Sequence, residues 1–549
     1  MVKEIIENIK GAFADYIIGI EVYKNKVYIE VEKKCLRPLV KLIKTNKQIH
    51  YVTSVGVDER PLRGGFRIYH IFTSIEEDYS IIIHTSTPQS HLTIPSIVPV
   101  TPGANWAERE IQDLLGLKFT GHPDPRKLIL PDDWPPDIYP LRKDTPYNIR
   151  PPSKPTPYPF KRPKETSTLP IGPYHPLLHE PEYFELYVKG EEVVDVEYRG
   201  FHVHRGIEKL GESKLTYNQI PFIAERICGI CGFTHSTCYC QAVEEAVGID
   251  VPERARYIRS ILLELERIHS HLLWIGVACH LLGFDTGFMH AWRIREPVMQ
   301  LCEMLTGNRK TYGANLVGGV RWDIKEKGIK KTLNVLNKIE DEFKRFIEDL
   351  MSIREVKLRL TNTGVLTKKD ALKMEVVGPV LRASGVKYDV RKAHPYAAYK
   401  EISLNVPVYS EGDNMARLMV RIDEVFESIN IIRELIDKLP KGPIMAEEIE
   451  IPSNRKGLSM TEAPRGENLH FIITGRDGFI YRWRVRAPTY ANIPALKIML
   501  KGCPLSDTPI TIASIDPCFS CTDRVKVIDI KNKKTITVPL IRISRGKIW

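Results

Sequence analysis

The sequence predicts an α+β protein. A small N-terminal α/β domain (residues 1–144) is joined by a Pro-rich linker (145–170) to a large, mainly α-helical domain (171–524), and a tail (525–549) follows. Three observations carry this reading. Short alternating apolar segments sit near the N-terminus, prolines crowd one stretch, and long helical stripes fill the chain beyond Asp250.

Each element has a local reason. Lys26-Val-Tyr-Ile-Glu-Val31, Phe66-Arg-Ile-Tyr-His-Ile-Phe72 and Tyr79-Ser-Ile-Ile-Ile-His84 alternate with the period of a strand. Asn105-Trp-Ala-Glu-Arg-Glu-Ile-Gln-Asp-Leu-Leu115 has helical spacing, with Asn105 expected as its cap. Eight prolines between Pro146 and Pro170 favour an extended, semi-rigid segment. In Asp250-Val-Pro-Glu253 an aspartate and a proline form a helix-start signal. From there Ile258, Ile261, Leu262, Leu265, Ile268, Leu272 and Ile275 make one helical face. Further long helices fit residues 325–353 and 415–439. All these stripes are expected to be packed core.

Composition narrows the function. The chain has 549 residues, enough for large cores, and a net charge of +11. It shows no arginine-rich run or basic patch interleaved with aromatics, which argues against nucleic-acid binding. The N-terminus lacks an apolar signal core, and the most apolar stretch, Leu272 to Phe284, is too short to span a bilayer. A soluble subunit that meets a membrane only through partners is therefore expected. Ten cysteines without a secretion signal suggest thiolate chemistry in a reducing compartment.

Four of those cysteines form two CxxC pairs, in Arg226-Ile-Cys-Gly-Ile-Cys-Gly-Phe-Thr-His235 and Asp516-Pro-Cys-Phe-Ser-Cys-Thr-Asp-Arg524. Thiolates at this spacing can bind one metal together. Equivalent cysteines of the two pairs lie 290 residues apart. Ribbon-type zinc sites draw on shorter spans, so a catalytic or redox metal competes with structural zinc. Cys35, Cys238, Cys240, Cys279, Cys302 and Cys503 read as small buried hydrophobes.

The flanks of both pairs resemble the two metal-binding signatures of the nickel–iron (NiFe) hydrogenase large subunit. Gly172-Pro-Tyr-His-Pro176, His202-Val-His-Arg-Gly-Ile-Glu-Lys209, Glu266-Arg-Ile-His-Ser-His271, Asp389-Val-Arg-Lys-Ala-His-Pro-Tyr396 and Gly412-Asp-Asn-Met-Ala-Arg417 look like the energy-converting, group 4 branch. They also resemble the 49-kDa subunit of respiratory complex I. Glu108-Arg-Glu-Ile-Gln-Asp-Leu-Leu-Gly116, Phe119-Thr-Gly-His-Pro-Asp-Pro-Arg126 and Pro140-Leu-Arg-Lys-Asp144 resemble the complex I 30-kDa subunit. Fusion of the two is the layout of the formate hydrogenlyase large subunit. Complex I relatives have lost the four thiolates, which are all present here.

The resemblance implies roles. Cys228 and Cys518 would be terminal nickel ligands, and Cys231 and Cys521 would bridge nickel and iron, the iron also carrying CO and cyanide. Cys518 would act as base when H2 is split. Glu180, in Leu178-His-Glu-Pro181, would relay the proton. His235 would hydrogen-bond a bridging sulfur, and Arg465, paired with Asp516, would lie over the metals. Glu208 aligns with a glutamate that binds a divalent ion such as magnesium or iron, although Arg524 stands where the family often has a histidine. His269-Ser-His271 replaces the His-Asp-His of uptake enzymes, so no aspartate is assigned there.

The same family commonly cleaves after the position of Arg524, so residues 525–549 are expected to be a maturation peptide removed by an endopeptidase. Their β-like alternation also fits a permanent tail. No further iron-sulfur motif is seen, so clusters would belong to a small subunit and a polyferredoxin-type subunit. Integral membrane subunits, and a formate or CO dehydrogenase, complete the implied partners, with this chain on the cytoplasmic face. The expected function is H2 interconversion, favouring H2 evolution. The rivals are a complex I-like quinone oxidoreductase subunit and a zinc-stabilised scaffold.

Overall fold

The computed structural model describes residues 2–149, 151–152, 162–175, 178, 180–201, 204–518, 527–529 and 534–536. Cys521 and Arg524 lie outside them, as does most of the tail. The two described tail segments, Val527–Asp529 and Lys534–Ile536, pair antiparallel.

Strands β1 (Ile17–Tyr23), β2 (Lys26–Val31), β3 (Ile49–Asp58), β4 (Gly65–Ser74) and β5 (Ser80–Pro88) form one sheet of order β1-β2-β5-β4-β3. Only β2 and β5 run parallel. The alternating segments in the sequence are β2, β4 and β5. Strand β3 lies outside the alternating segments; all ten of its residues are buried, polar His50, Thr53 and Ser54 among them. Its polar side chains find partners: Ser54 Oγ lies 2.8 Å from His70 Nδ1, and His50 Nδ1 lies 2.8 Å from Glu375. Helix α1 (Asn105–Leu115) packs on β3, and a Cβ at Gly56 would lie 2.6 Å from Leu115 Cδ1. Asn105 is the first helical residue and not the expected cap; that place falls to Ala104, at the end of a preceding 3-10 turn.

The linker is shorter than expected. Residues 167–170, assigned to it, belong to β6 (Ser167–Ile171), which pairs with β7 (Tyr183–Lys189), itself paired with β8 (Glu192–Arg199). Proline at position 170 is tolerated because β6 is an edge strand.

The helical part contains α2 (Gly232–Val247), α3 (Glu253–Leu281), α4 (Asp285–Thr306), α5 (Glu326–Ser352), α6 (Asn414–Asp437) and α7 (Thr508–Ser514). The apolar stripe of α3 is buried as expected, but Pro252, not Asp250, occupies its cap. Asp413 caps α6 by accepting from the Ala416 N–H at 2.8 Å. Each buried Leu or Ile of these stripes contributes about 1.5–3 kcal/mol.

One sheet in the large domain was unforeseen: β9 (Lys456–Ala463), β10 (Gly466–Thr474) and β11 (Ile480–Arg486), antiparallel and almost wholly buried. Alternate residues Arg482, Arg484 and Arg486 of β11 reach toward β3. Arg482 Nε donates to Gly56 O at 2.9 Å and Arg486 Nε to Val52 O at 3.2 Å. Arg484 pairs with Glu110 of α1. One continuous apolar core also runs from the β1–β5 sheet to Phe471 and Ile512, so the two domains share an interior.

Candidate metal centre

Segments 290 residues apart in the chain meet at cysteines from the two pairs. Cys228, Cys231 and Cys518 cluster with Ala463 and are all buried. Cys228 Sγ and Cys518 Sγ are 3.0 Å apart. Cys228 Sγ also accepts from the N–H groups of Ile230 at 3.4 Å and Cys231 at 3.3 Å. The first CxxC therefore forms a turn that opens directly into α2, whose positive end favours thiolate. Gly232 is required by packing, since a Cβ there would lie 2.5 Å from the Glu225 carbonyl.

Contact with Cys228, together with burial, pushes the Cys231 thiol well above its ordinary value. Sulfurs this close cannot all be charged without a compensating cation. A divalent metal would displace the thiol protons, so the donor set fits a soft transition metal. Among the described residues no group of three or more His, Cys, Asp or Glu side chains is placed to hold a metal ion, and Cys521 lies outside them.

Arg465 sits at the tip of the β9–β10 hairpin, where Ala463 pairs with Gly466. Gly378 makes room for this turn; a Cβ on it would come within 2.4 Å of Arg465 O. Arg465 Nε donates to Asp516 O at 2.6 Å, Nη2 to Asp516 Oδ1 at 2.7 Å, and Nη1 to Ser270 Oγ at 3.2 Å. Burial opposes its charge, but Asp516 and the three cysteines outweigh it and keep the guanidinium protonated. Burial pushes the Asp516 carboxyl up. Asp516 adopts φ +52°, and its Oδ2 has no partner among the described residues.

His235 lies on the first turn of α2, with its Nδ1 3.1 Å from His470 Nε2. Glu180 is half-buried in the bend that leads into β7. Glu208 is engaged differently from the expectation. Its carboxylate accepts from Arg482 at 2.7 Å, Arg484 at 3.2 Å and the Val485 N–H at 3.0 Å. Two guanidinium groups thus share the carboxylate at which magnesium or iron was expected.

Sequence reasoning missed the support behind the site. His271 Nε2 lies 2.8 Å from Glu424. Arg382 bridges Glu424 at 2.7 Å and Glu462 at 2.9 Å, and Arg391 joins Asp389 to Glu264. Arg382 and His271 outweigh burial and hold Glu424 well below the usual carboxylate range. Several of these residues lie inside the quoted family segments, the only signal that could have found them. Glu266 caps α2 through the Phe233 and Thr234 N–H groups, at 2.8 and 3.0 Å, and burial pushes it up to about 8.

Residues 205–285 match the nickel-dependent hydrogenase family, beginning just before the first cysteine pair. Residues 282–460 and 447–524 match the respiratory-chain NADH dehydrogenase 49 Kd subunit, and residues 29–151 its 30 Kd subunit. Formate hydrogenlyase subunit 5 of Escherichia coli (strain K12) is 42% identical over 90% of this chain and 88% of its own length. The chain belongs to the complex I-like NiFe hydrogenase large-subunit family. Hydrogenase-4 component G of the same organism is also 42% identical, over 89% of this chain and 86% of its own. An NADH-quinone oxidoreductase subunit from Aquifex aeolicus (strain VF5) is a more distant relative, 31% identical over 95% of this chain and 99% of its own length. Among solved structures, a chain of the archaeal membrane-bound sulfane sulfur reductase matches with a TM-score of 0.62 and 33% identity, covering 66% of this chain and 99% of that one.

Proposed function

We infer that this chain is the catalytic large subunit of a membrane-associated NiFe hydrogenase that interconverts H2 with protons and electrons. The observation that carries this reading is the junction of Cys228, Cys231 and Cys518, buried and drawn from segments 290 residues apart in a hydrogenase-family chain.

Cys228, Cys231, Cys518 and Cys521 would hold nickel and iron. The metals would supply Lewis acidity that polarises H2 and redox capacity that takes its electrons. This chain's residues supply the rest. Cys518 Sγ accepts the proton released in H2 cleavage and returns it in H2 formation. Glu180 passes it toward solvent. Arg465, held in a fixed fork by Asp516 and Ser270, presents permanent positive charge to the site. The iron would also carry CO and cyanide.

No helix among the described residues is long and apolar enough to cross a membrane. The chain would dock on integral membrane subunits, at the cytoplasmic face. Electrons would pass through an iron-sulfur small subunit and a polyferredoxin-type subunit, with formate or CO dehydrogenase as the source. An endopeptidase would cut after Arg524.

The test is an infrared spectrum of the matured complex in the region of CO and cyanide stretches, with nickel and iron measured in the same sample. One CO and two cyanide bands are expected. Their absence from nickel-replete, matured protein would overturn the reading.

A further inference from the structure

Three buried rings form a hydrogen-bonded series beside the sulfurs. Trp483 Nε1 lies 3.1 Å from His470 Nδ1, and His470 Nε2 lies 3.1 Å from His235 Nδ1. An indole nitrogen can only donate. His470 Nδ1 therefore accepts, and the single proton of a neutral His470 sits on Nε2. That proton is donated to His235 Nδ1, which leaves the proton of His235 on its own Nε2. An accepting Nδ1 on each ring leaves each with one proton, on Nε2.

The free end of the series is His235 Nε2, on the first turn of the helix that the first cysteine pair opens. His235 Nε2 is buried and has no partner among the described residues. Cys228 acts electrostatically on the ring, and the main-chain N–H of His235 donates to the Cys231 carbonyl at 3.4 Å, which anchors the residue beside the first cysteine pair. Without Trp483, two arrangements of the histidine pair would be equivalent, both protons on Nε2 or both on Nδ1. The indole donor removes the second.

We propose that Trp483 and His470 are positioning residues that lock His235 in its Nε2–H tautomer, so that the ring offers the sulfur ligands a donor and never a lone pair. The proposal rests on the hydrogenase reading. Hydrogen bonds to metal-bound sulfur drain electron density from the metal and raise its reduction potential. The lock thus tunes the centre from two residues away.

The experiment is infrared spectroscopy and redox titration of the whole complex carrying Trp483→Phe or His470→Phe. Both variants should move the CO band to lower wavenumber and lower the potential. Tyr239→Phe is the control. Its ring packs 5.5 Å from Trp483, yet its hydroxyl is outside the series, so its band should stay in place. Unchanged bands in both variants at full nickel content overturn the proposal. Should the variants fail to fold, 15N NMR of the histidine-labelled wild-type complex decides it: protonated Nε2 and bare Nδ1 on both rings support the lock, and Nδ1–H on either refutes it. Absence of CO and cyanide bands from the wild type would sink the hydrogenase reading instead, and the NMR result would still settle the tautomer.

Discussion

Replacing Arg465 by lysine keeps the charge and removes the fork. The guanidinium makes three hydrogen bonds in a fixed plane, two to Asp516 at 2.6 and 2.7 Å and one to Ser270 at 3.2 Å. A lysine ammonium can reach from one point only, so one of the two bonds to Asp516 is lost. A bond to a charged group contributes about 1.5–3 kcal/mol. Burial also leaves Asp516 poorly compensated, because its Oδ2 already lacks a partner among the described residues. Loss of one oriented donor at a reacting centre costs about 10²–10³ in kcat. R465K is therefore expected to reduce H2 evolution from a reduced viologen dye by about that factor, at unchanged nickel content. Adding Asp516→Asn should cost much less than in the wild-type background, because the two residues act as one unit. R465K activity within twofold of wild type, with metal intact, would refute the idea that fork geometry matters.

Three other outcomes are expected. Cys518→Ser should abolish nickel retention and activity together, read by elemental analysis; full activity without that thiol would revive the quinone-oxidoreductase alternative. Glu180→Gln should lower turnover by about 10²–10⁴ while leaving metal content and the infrared bands alone, as loss of a proton relay would; loss of metal instead would make Glu180 structural. Burial pushes the Glu108 carboxyl up to about 8. Between its ordinary value and that one the native state keeps a proton that the unfolded chain releases, so stability falls as pH rises, by up to about 1.4 kcal/mol per unit. Glu108→Gln should flatten this slope in thermal melts across the window, and an unaltered slope would show that another group causes it.

Some of this protein was written along the chain. The strands β2, β4 and β5, the helices α3, α5 and α6 and the two CxxC pairs are local patterns, because period and spacing are properties of consecutive residues. The family of the chain was also legible, since its motifs survive as short strings. Other features existed only once distant segments met. Strand β3 and the β9–β11 sheet bury polar side chains such as His50, Ser54, Thr461 and Asn468 among their apolar ones, and only partners from distant segments make those positions interior. Arg482 and Arg484 look like solvated charges until Glu110, Glu208 and Glu212 arrive from elsewhere in the chain. The same arrival gives Glu208 two guanidinium partners. Ser270 gained its place under Arg465, and Trp483 its hold on His470, in the same way. Sequence determines which groups can donate, accept or bind metal; only the fold decides which of them stand within three ångströms of one another.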